Sequence, residues 1–380
     1  MSGMSRPERV ETVIVGGGQA GLATAYHLQR RKRACVVLDA APRVGDPWRE
    51  RWDSLRLFTP AGLSSLPGMR YPGAYWSFPS KDEFADYLEG YAAHFAFDVR
   101  HDARVDAITK REDRYLVTAG PHRFDADHVV LATGTFQEPK LPAYAPELNV
   151  GIVQLHSSAY RNPGQLREGP VLVVGAANSG AELALELSAT RDVWLAGHNV
   201  KVFPVRPGSL PSRLFMPPMF FAATHMITTK TPVGRRVRRH IVRHGAPLMR
   251  VKPGDLVAAG VRRVGPVAGV RDGRPVLEDG TVLDAANVIW CTGFRPDFAW
   301  IDHPAFASGE EPDQERGVLT AAPGIYRVGQ LFQHALSSSF IGGIGHDAAH
   351  VASAIARRAR DRQRASERRR REVASETRNV

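Results

Sequence analysis

Short runs of apolar and β-branched residues, each followed by a glycine-rich turn, recur along this chain of 380 residues. The run Thr12 to Val15 leads into Gly-Gly-Gly-Gln-Ala-Gly at 16–21, and the run Val171 to Val174 leads into Gly-Ala-Ala-Asn-Ser-Gly at 175–180. After each turn the apolar positions follow helical spacing. The pattern predicts two strand–turn–helix units, each with a helix N-terminus suited to a phosphate group.

The first turn carries every element of a dinucleotide site. Gly16 permits the tight turn, Gly18 lets the backbone approach a pyrophosphate, and Gly21 lets the helix pack closely on the strand. A second strand, Cys35 to Leu38, leads to Asp39, whose carboxylate would accept hydrogen bonds from an adenosine ribose. The residues assigned to this site are Gly16, Gly18, Gln19, Ala20, Gly21 and Asp39.

The second turn has Ala177 in place of the middle glycine. The methyl group is expected to crowd the backbone, so that a dinucleotide binds less tightly or lies farther away. No acid follows the next strand, and His198 and Lys201 would offer positive charge to a 2′-phosphate. This favours NADPH over NADH, with an incidentally basic, solvated loop as the alternative. The assigned residues are Gly175, Asn178, Ser179, Gly180, His198 and Lys201.

Both halves of the chain follow one plan, in which a β-meander returns to the sheet and ends in Thr-Gly. Two nucleotide sites in one chain indicate a flavin reduced by a nicotinamide. The predicted fold class is α/β, with two Rossmann-like dinucleotide-binding domains of the two-dinucleotide-binding flavoprotein type. The predicted ranges are 1–155 for the first part of the FAD-binding domain, 156–286 for the NADPH-binding domain, 287–356 for the second FAD part and 357–380 for a basic tail.

Charge and cysteine content narrow the function classes. The formal net charge is +11, of which residues 356–380, with ten arginines and four acids, contribute +6 and the rest about +5. Because no aromatic residues are interleaved with these arginines, we interpret the tail as a solubilising or partner-contacting extension, not a nucleic-acid site. Cys35 and Cys291 form no C-x-x-C pair, and no signal peptide or membrane-spanning run is evident, so a cytoplasmic enzyme is expected.

Three further segments point to a known family: Gly45-Asp46-Pro47-Trp48-Arg49, Phe78-Pro79-Ser80-Lys81 and the run from Cys291 to Asp297. With the two turns, they resemble flavin-containing monooxygenases of the small bacterial kind, related to the plant flavin monooxygenases of auxin synthesis and to Baeyer-Villiger enzymes. The resemblance covers about residues 10–356. It implies cofactor contacts for Trp48, Arg49, Thr133, Gly134, Thr292, Gly293, Gly329 and Gln330.

The resemblance implies an FAD-dependent monooxygenase. NADPH would reduce FAD, O₂ would add to give a C4a-hydroperoxide, and a small organic substrate would take one oxygen atom. Gln330 stands where the family has Asp. The catalytic candidates are Phe58, His156 and Tyr160, of which Phe58 stands where many members have Asn or His.

Several alternatives remain open. His156 is also interpreted as a structural hinge residue and Tyr160 as a packing residue. An NAD(P)H:flavin oxidoreductase or oxidase that releases hydrogen peroxide is the rival enzyme, and an FAD-containing redox-responsive binding protein is the rival from another class. Besides substrate and O₂ we expect no nucleic-acid partner, and a homodimer is left open.

Two further patterns have competing interpretations. His346-Asp347-Ala348-Ala349-His350 resembles a zinc-protease motif, but Asp replaces Glu and no third ligand is evident, so no metal is predicted. The apolar run 214–227 precedes arginines at 235–243. We interpret the pair as a hydrophobic lid over the substrate beside a solvated helix, with contact to a membrane surface as the alternative. The substrate pocket is expected between 203–227 and 337–345.

Overall fold

The computed structural model describes residues 6–309 and 311–376. The described strands are β1 (Glu8–Val15), β2 (Cys35–Leu38), β3 (Val99–Arg100), β4 (Ala107–Arg111), β5 (Arg114–Ala119), β6 (His122–Leu131), β7 (Glu138–Pro139), β8 (Val153–His156), β9 (Val171–Val174), β10 (Val193–Ala196), β11 (Arg262–Val264), β12 (Val267–Arg271), β13 (Arg274–Leu277), β14 (Asn287–Trp290), β15 (Phe294–Arg295), β16 (Ile301–Asp302), β17 (Gln314–Glu315), β18 (Val318–Leu319) and β19 (Ile325–Arg327). The described α-helices are α1 (Gln19–Gln29), α2 (Asp46–Arg49), α3 (Lys81–His94), α4 (Asn178–Leu187), α5 (Leu210–His225), α6 (Pro232–His244), α7 (Pro253–Ala258) and α8 (Ile344–Glu376).

The first sheet has ten strands, in the order β16-β4-β5-β6-β1-β2-β3, with β19 parallel to β6 and β18 and β17 following it. β1 lies between β6 and β2 and is parallel to both, which suits its fully buried apolar residues Val13 and Ile14. One face is covered by α1 and α8, whose buried residues share one core. The predicted α/β class with two Rossmann-like dinucleotide-binding domains is confirmed.

The second sheet has the order β11-β10-β9-β14-β8 and its strand pairs are all parallel. Two predicted boundaries differ from this arrangement. β8 begins at Val153, so the second sheet begins before residue 156. β14 covers 287–290, which the prediction placed in the second FAD part, yet it lies between β9 and β8. The reason is non-local pairing: β14 fills the gap between two strands that precede it by more than 100 residues.

The chain crosses between the sheets directly after each Thr-Gly. There β7 pairs antiparallel with β15, Phe294 opposite Pro139. Trp52, from the first half, packs into the core beneath the second sheet. The antiparallel hairpin of β12 and β13 agrees with the β-meander predicted for the second half. The predicted basic tail continues α8 without a break to Glu376, and no described helix has the length and apolarity needed to cross a membrane.

Candidate cofactor site

The turn after β1 has a backbone that requires glycine. Gly16 has φ of +107°, and a Cβ there would lie 2.6 Å from the carbonyl oxygen of Ala132. A Cβ on Gly21 would clash with the carbonyl oxygen of Gly16. The tight turn and the close approach of helix to strand therefore follow from these two glycines.

The start of α1 is open to a ligand. Its N-cap, Gly18, has φ −76° and ψ −175°, and no side chain caps the helix. A Cβ on Gly18 would meet nothing within 4 Å. By contrast, α3, α5 and α6 are capped by Ser80, Ser209 and Thr231. The uncapped first turn of α1 and the space beside Gly18 fit a pyrophosphate.

Asp39 is buried directly after β2 and helps to hold the turn. Its Oδ2 accepts a hydrogen bond from the backbone N–H of Gly17 and its Oδ1 one from Ala41, both at 3.0 Å. Each carboxylate oxygen can accept a second hydrogen bond. Contact with a ribose hydroxyl stays a prediction.

Gln330 supplies an unpaired buried donor near the same turn. Its Nε2 is buried and makes no hydrogen bond with the protein. The preceding Gly329 lies so close to α1 that a Cβ there would be 2.8 Å from the Cβ of Ala20. Because buried amide donors are normally paired, this one fits an oxygen of a bound FAD. That fit is independent of the glycine pattern.

Trp48 and Arg49, also assigned to the cofactor, differ in placement. The indole N–H of Trp48 donates to Oε1 of Gln19 at 3.2 Å, at the first residue of α1. Arg49 donates to Asp86 at 2.7 Å and to Glu89 at 2.8 Å, and so ties α2 to α3. The cofactor contact of each residue stays a prediction, and the contacts of Arg49 support an anchoring role.

The second turn copies the first. Gly175 has φ of +109° beside the backbone of Cys291, and a Cβ on Gly180 would clash with the carbonyl oxygen of Gly175. The N-cap of α4 is Ala177, with φ −77° and ψ −170° and no capping side chain. These angles match those of the first N-cap within about 5°. The exposed methyl of Ala177 therefore occupies the position that is open space in the first turn.

Both polar atoms of the Asn178 side chain form hydrogen bonds with the protein backbone. Its Nδ2 donates to the carbonyl oxygen of Pro247 at 3.0 Å, and its Oδ1 accepts from the N–H of Met249 at 2.8 Å. The neighbouring Ser179 is half-buried. Asn178 thus fixes the segment 247–249 against the start of α4, and the contacts of both residues with NADPH stay predictions.

Arg263, which the sequence pattern does not single out, contacts the loop after β10. His198 and Lys201 are exposed there, as expected of groups that would meet a 2′-phosphate. Arg263, from the parallel neighbour β11, donates through Nη2 to the carbonyl oxygens of Gly197 at 3.2 Å and His198 at 3.4 Å. Burial lowers the pKa of its guanidinium. No local sequence signal marks Arg263, because β11 pairs with β10 across more than 60 residues of the chain.

Hydrogen bonds link the Thr133-Gly134 and Thr292-Gly293 segments at the junction of the two sheets. Gln137 donates to Oγ1 of Thr133 at 2.6 Å and accepts from the N–H of Asp297 at 2.5 Å. Thr292 donates to the carbonyl oxygen of Lys140, whose N–H donates to Gly293 at 2.9 Å. Thr133, Gly134, Thr292 and Gly293 thus lie where both halves of the chain meet, and their cofactor contacts stay predictions.

His156 lies at the same junction, at the end of β8. Its Nε2 donates to the carbonyl oxygen of Gly293 at 3.0 Å, and its Nδ1 accepts from the Oγ of Ser158 at 2.9 Å. Burial lowers the pKa of the imidazole, and Arg51 lowers it further. A neutral ring bonded to backbone supports the hinge interpretation. Catalysis by His156 stays a prediction.

Tyr160 is fully buried, and its hydroxyl donates to Oε1 of Glu186 at 2.8 Å. Burial and this carboxylate raise the pKa of the phenol. Ser54, from the first half of the chain, donates to the other oxygen of Glu186. Tyr160 therefore belongs to a hydrogen-bonded link between the two halves, which is buried at Tyr160 and exposed at Ser54. This supports the packing interpretation, and its catalytic role stays a prediction.

The segments expected to form the substrate pocket meet. The ring of Phe340 lies 6.1 Å from those of Phe58 and Phe220, centre to centre. Nearby, between the ends of α5 and α8, is a polar cavity of about 200 Å³. Burial raises the pKa of its Asp347 to about 6. The cavity lining is Thr224, His225, Thr228, Arg316, His334, Ala335, Ser337, Ser338, Gly343, His346 and Asp347.

The zinc-like histidine pair has no supporting ligand set. His346 lies at this cavity, with its ring 5.8 Å from that of His225. Burial lowers the pKa of His346 and of His350. Within 6–309 and 311–376, no group of three or more His, Cys, Asp or Glu side chains could hold a metal ion.

Comparisons with known proteins agree with this geometry. The family model described as pyridine nucleotide-disulphide oxidoreductase matches residues 13–206. The chain is 36% identical over 362 residues to "Uncharacterized oxidoreductase CzcO-like" of Geobacillus kaustophilus, covering 91% of this chain and 98% of that protein. "Indole-3-pyruvate monooxygenase YUCCA1" of Oryza sativa is 34% identical over 194 residues, 47% of each chain.

Solved structures show the same fold. The flavin-containing monooxygenase from Stenotrophomonas maltophilia superposes with a TM-score of 0.75 at 26% identity, covering 93% of this chain and 99% of that one. A cyclohexanone monooxygenase shares the fold at 15% identity, with a TM-score of 0.68, covering 93% of this chain and 88% of that one. The chain therefore belongs to the pyridine nucleotide-disulphide oxidoreductase family and is an enzyme of its flavin-dependent monooxygenase group, whose cofactors are FAD and a nicotinamide dinucleotide.

Proposed function

We propose that this enzyme takes electrons from NADPH, passes them to FAD and transfers one oxygen atom of O₂ to a small organic substrate. The observation that carries the proposal is the pair of uncapped helix starts with matching backbone angles, at Gly18 and Ala177. The unpaired amide of Gln330 beside the first supports FAD there. The resemblance to a monooxygenase of known structure supports the oxygenating route.

In this proposal the residues of the chain bind and orient the two cofactors and exclude water from the reacting atoms. The first turn and Asp39 would hold the adenosine pyrophosphate of FAD, and the amide of Gln330 would donate to its flavin half. The second turn would hold NADPH, with Arg263 and Lys201 near its 2′-phosphate. Bound FAD would supply the electron transfer and the activation of O₂. Such sites serve the reaction by fixing geometry and keeping water away from the reacting atoms.

The substrate side is proposed at the aromatic rings of Phe58, Phe220 and Phe340. Three aromatic rings from three segments meet there, next to the polar cavity that ends at Asp347. Rings of this kind exclude water, and the cavity offers hydrogen-bonding groups for orientation. This arrangement supports a small substrate with both an apolar and a polar part.

A second candidate is an oxidase that reduces O₂ to hydrogen peroxide without oxygenating a substrate. The specific observation in its favour is Phe58, whose side chain has no hydrogen-bonding group. Substrate-dependent consumption of NADPH and O₂ in equal amounts, with little peroxide, supports the monooxygenase. Peroxide equal to the NADPH consumed, with every amine, sulfide and ketone tested, supports the oxidase.

The cofactor assignment is tested by Gly18→Val. An added Cβ at Gly18 meets no protein atom within 4 Å, and a valine side chain would fill the space assigned to the pyrophosphate. The variant should fold and lose its bound FAD, measured by absorbance of the purified protein. The matched control is Gly90→Val on the exposed side of α3, where an added Cβ also meets nothing. A yellow Gly18→Val protein would contradict the assignment.

A further inference from the structure

One stretch of the chain carries its positive charge without any acidic residue. Residues 193–254 contain eleven lysines and arginines and no aspartate or glutamate. Their formal charge of +11 equals that of the whole chain, so the remaining residues are neutral in sum. This stretch includes α5 and α6. Arg206 and Arg250 pair with acids outside the stretch, Asp255 and Glu182, but the exposed arginines of α6 form no ion pair with the described residues, so an anionic partner would be attracted to α6.

The same stretch exposes large apolar side chains. On α5, Leu210, Leu214 and Phe221 follow the spacing of one helix face and have exposed fractions of 74%, 80% and 62%. The inner face of α5 is buried at Met216 and Ala223, so only that side serves as the expected hydrophobic lid. Eight of the fourteen exposed large hydrophobic residues in the described ranges lie here: Val202, Leu210, Leu214, Phe215, Phe221, Met226, Val233 and Val242.

α6 adds the exposed arginines. Six residues separate the end of α5 from the start of α6. The last of them, Thr231, donates to the carbonyl oxygen of Met226 at 2.8 Å and caps α6. Ile241 faces the protein interior. The arginines on the exposed side are Arg235, Arg236, Arg238 and Arg239.

We propose that α5 and α6 form a lipid-docking face, defined by Leu210, Leu214 and Phe221 with Arg235 and Arg239. It binds the headgroup region of a membrane rich in anionic phospholipid. Apolar side chains gain by leaving water for the acyl boundary, while the arginines of the following helix bind lipid phosphates. The chain would lie on the membrane and not cross it.

Charge and apolarity together favour lipid over the other occupants. Nucleic acid would bind the arginines but would give exposed leucines no hydrocarbon to enter. A symmetric dimer through this face would bring two copies of the same cationic patch together, with no carboxylate from 193–254 to pair with them. Of these three occupants, an anionic lipid surface is the one that satisfies both the apolar and the cationic side chains.

The experiment measures co-sedimentation of the purified full-length protein with vesicles. One set is phosphatidylcholine alone, and the other contains added phosphatidylglycerol. The protein should sediment with the second set only and be released by high salt, because screening weakens the attraction. Absence from both vesicle sets at low salt would overturn the proposal.

Variants separate the lipid-docking face from general charge. Leu214→Glu should abolish sedimentation, and Arg235→Gln with Arg239→Gln should lower the vesicle affinity about 25-fold, roughly fivefold for each arginine. Thermal melts establish that each variant folds. The matched controls outside the face are Val150→Glu, at an exposed valine, and Arg369→Gln with Arg370→Gln, at exposed arginines of α8.

The controls should sediment like the original protein. If the α8 pair loses as much affinity as the α6 pair, net charge and not this face drives binding, and the proposal fails. It also fails if Leu214→Glu binds vesicles normally. A Leu214→Glu protein that changes from dimer to monomer in sedimentation equilibrium would assign the face to a second copy instead.

Discussion

Arg263 is a further candidate to bind the 2′-phosphate of NADPH in the proposed function. It reaches the carbonyl oxygens of Gly197 and His198 from the strand next to β10, while Lys201 is exposed on the loop itself. A guanidinium presents a planar set of donors to a phosphate, whereas an ammonium acts as a point charge. Arg263 is therefore the stronger candidate of the two.

Arg263→Ala should lower kcat/KM for NADPH about tenfold, which corresponds to about 1.4 kcal/mol, and leave NADH almost unchanged. Lys201→Ala should give a smaller loss in the same direction. Steady-state kinetics with both nucleotides measure the effect. The control is Arg262→Ala, because Arg262 stacks on Trp194, 5.0 Å away, and pairs with Asp192. Equal losses with NADPH and NADH would show that Arg263 does not bind the phosphate.

In the proposed function, Phe58 would affect how tightly NADPH consumption is coupled to oxygenation. A phenyl ring excludes water but provides no hydrogen bond to an oxygen atom near the flavin. We expect the original protein to release peroxide during NADPH oxidation without substrate. Phe58→Asn should lower that release several-fold, measured as peroxide formed per NADPH oxidised.

The matched control for that substitution is Phe215→Asn, since Phe215 packs on Phe203 and not on Phe340. Increased peroxide release from Phe58→Asn would show that Phe58 acts as a shield against water. Unchanged release from both variants would place Phe58 away from the reacting atoms.

At the scale of elements, the sequence predicts the features that depend on residues close together in the chain. Both strand–turn–helix units were predicted, because glycine spacing and apolar periodicity lie within a few residues of each other. The sequence did not predict that β14 lies between β9 and β8. It also did not predict that Trp52 packs into the core of the second sheet. Those depend on pairings between residues far apart in the chain. Arg263 was missed for the same reason.

In the first turn of α8, the charged form of the Asp347 carboxyl lowers the free energy of unfolding. Burial raises the pKa of Asp347 to about 6 from 3.8, against the opposing effects of Ser338 and Arg316. The folded protein therefore binds this proton more tightly than the unfolded chain, and the charged form lowers stability above pH 6. That cost diminishes as the pH falls from 6 to 3.8.

Asp347→Asn should raise the free energy of unfolding by about 3 kcal/mol at pH 8, because a shift of one pKa unit is about 1.4 kcal/mol. At pH 4 the gain should be below about 1 kcal/mol. Urea unfolding at both pH values measures it, with Asp284→Asn at an exposed carboxyl as control. A gain that does not depend on pH would mean that titration of Asp347 is not its cause.

At the scale of the whole molecule, the first sheet is completed by the end of the chain. β19 pairs with β6, Ile325 opposite Val129, after the chain has built the entire second sheet. α8 then packs on α1, with Val351 and Ile355 buried in the core beside Leu22. The helix that begins at the first glycine turn thus depends on residues more than 300 positions later.

Two truncations test this dependence. A chain ending at Gly343 lacks α8 and leaves the apolar side of α1 uncovered, so it should lose FAD and its cooperative thermal unfolding. A chain ending at Arg362 keeps the buried part of α8 and the hydrogen bond from Arg362 to the carbonyl oxygen of Asp113 at 2.9 Å. It should retain FAD and differ in stability by no more than about 0.5 kcal/mol, because the residues 363–371 that it loses are exposed. FAD absorbance and melting curves distinguish the two chains. Flavin loss from the longer chain would make the arginine-rich end part of the FAD domain, whereas a yellow, cooperatively melting shorter chain would show that α1 holds its turn without α8.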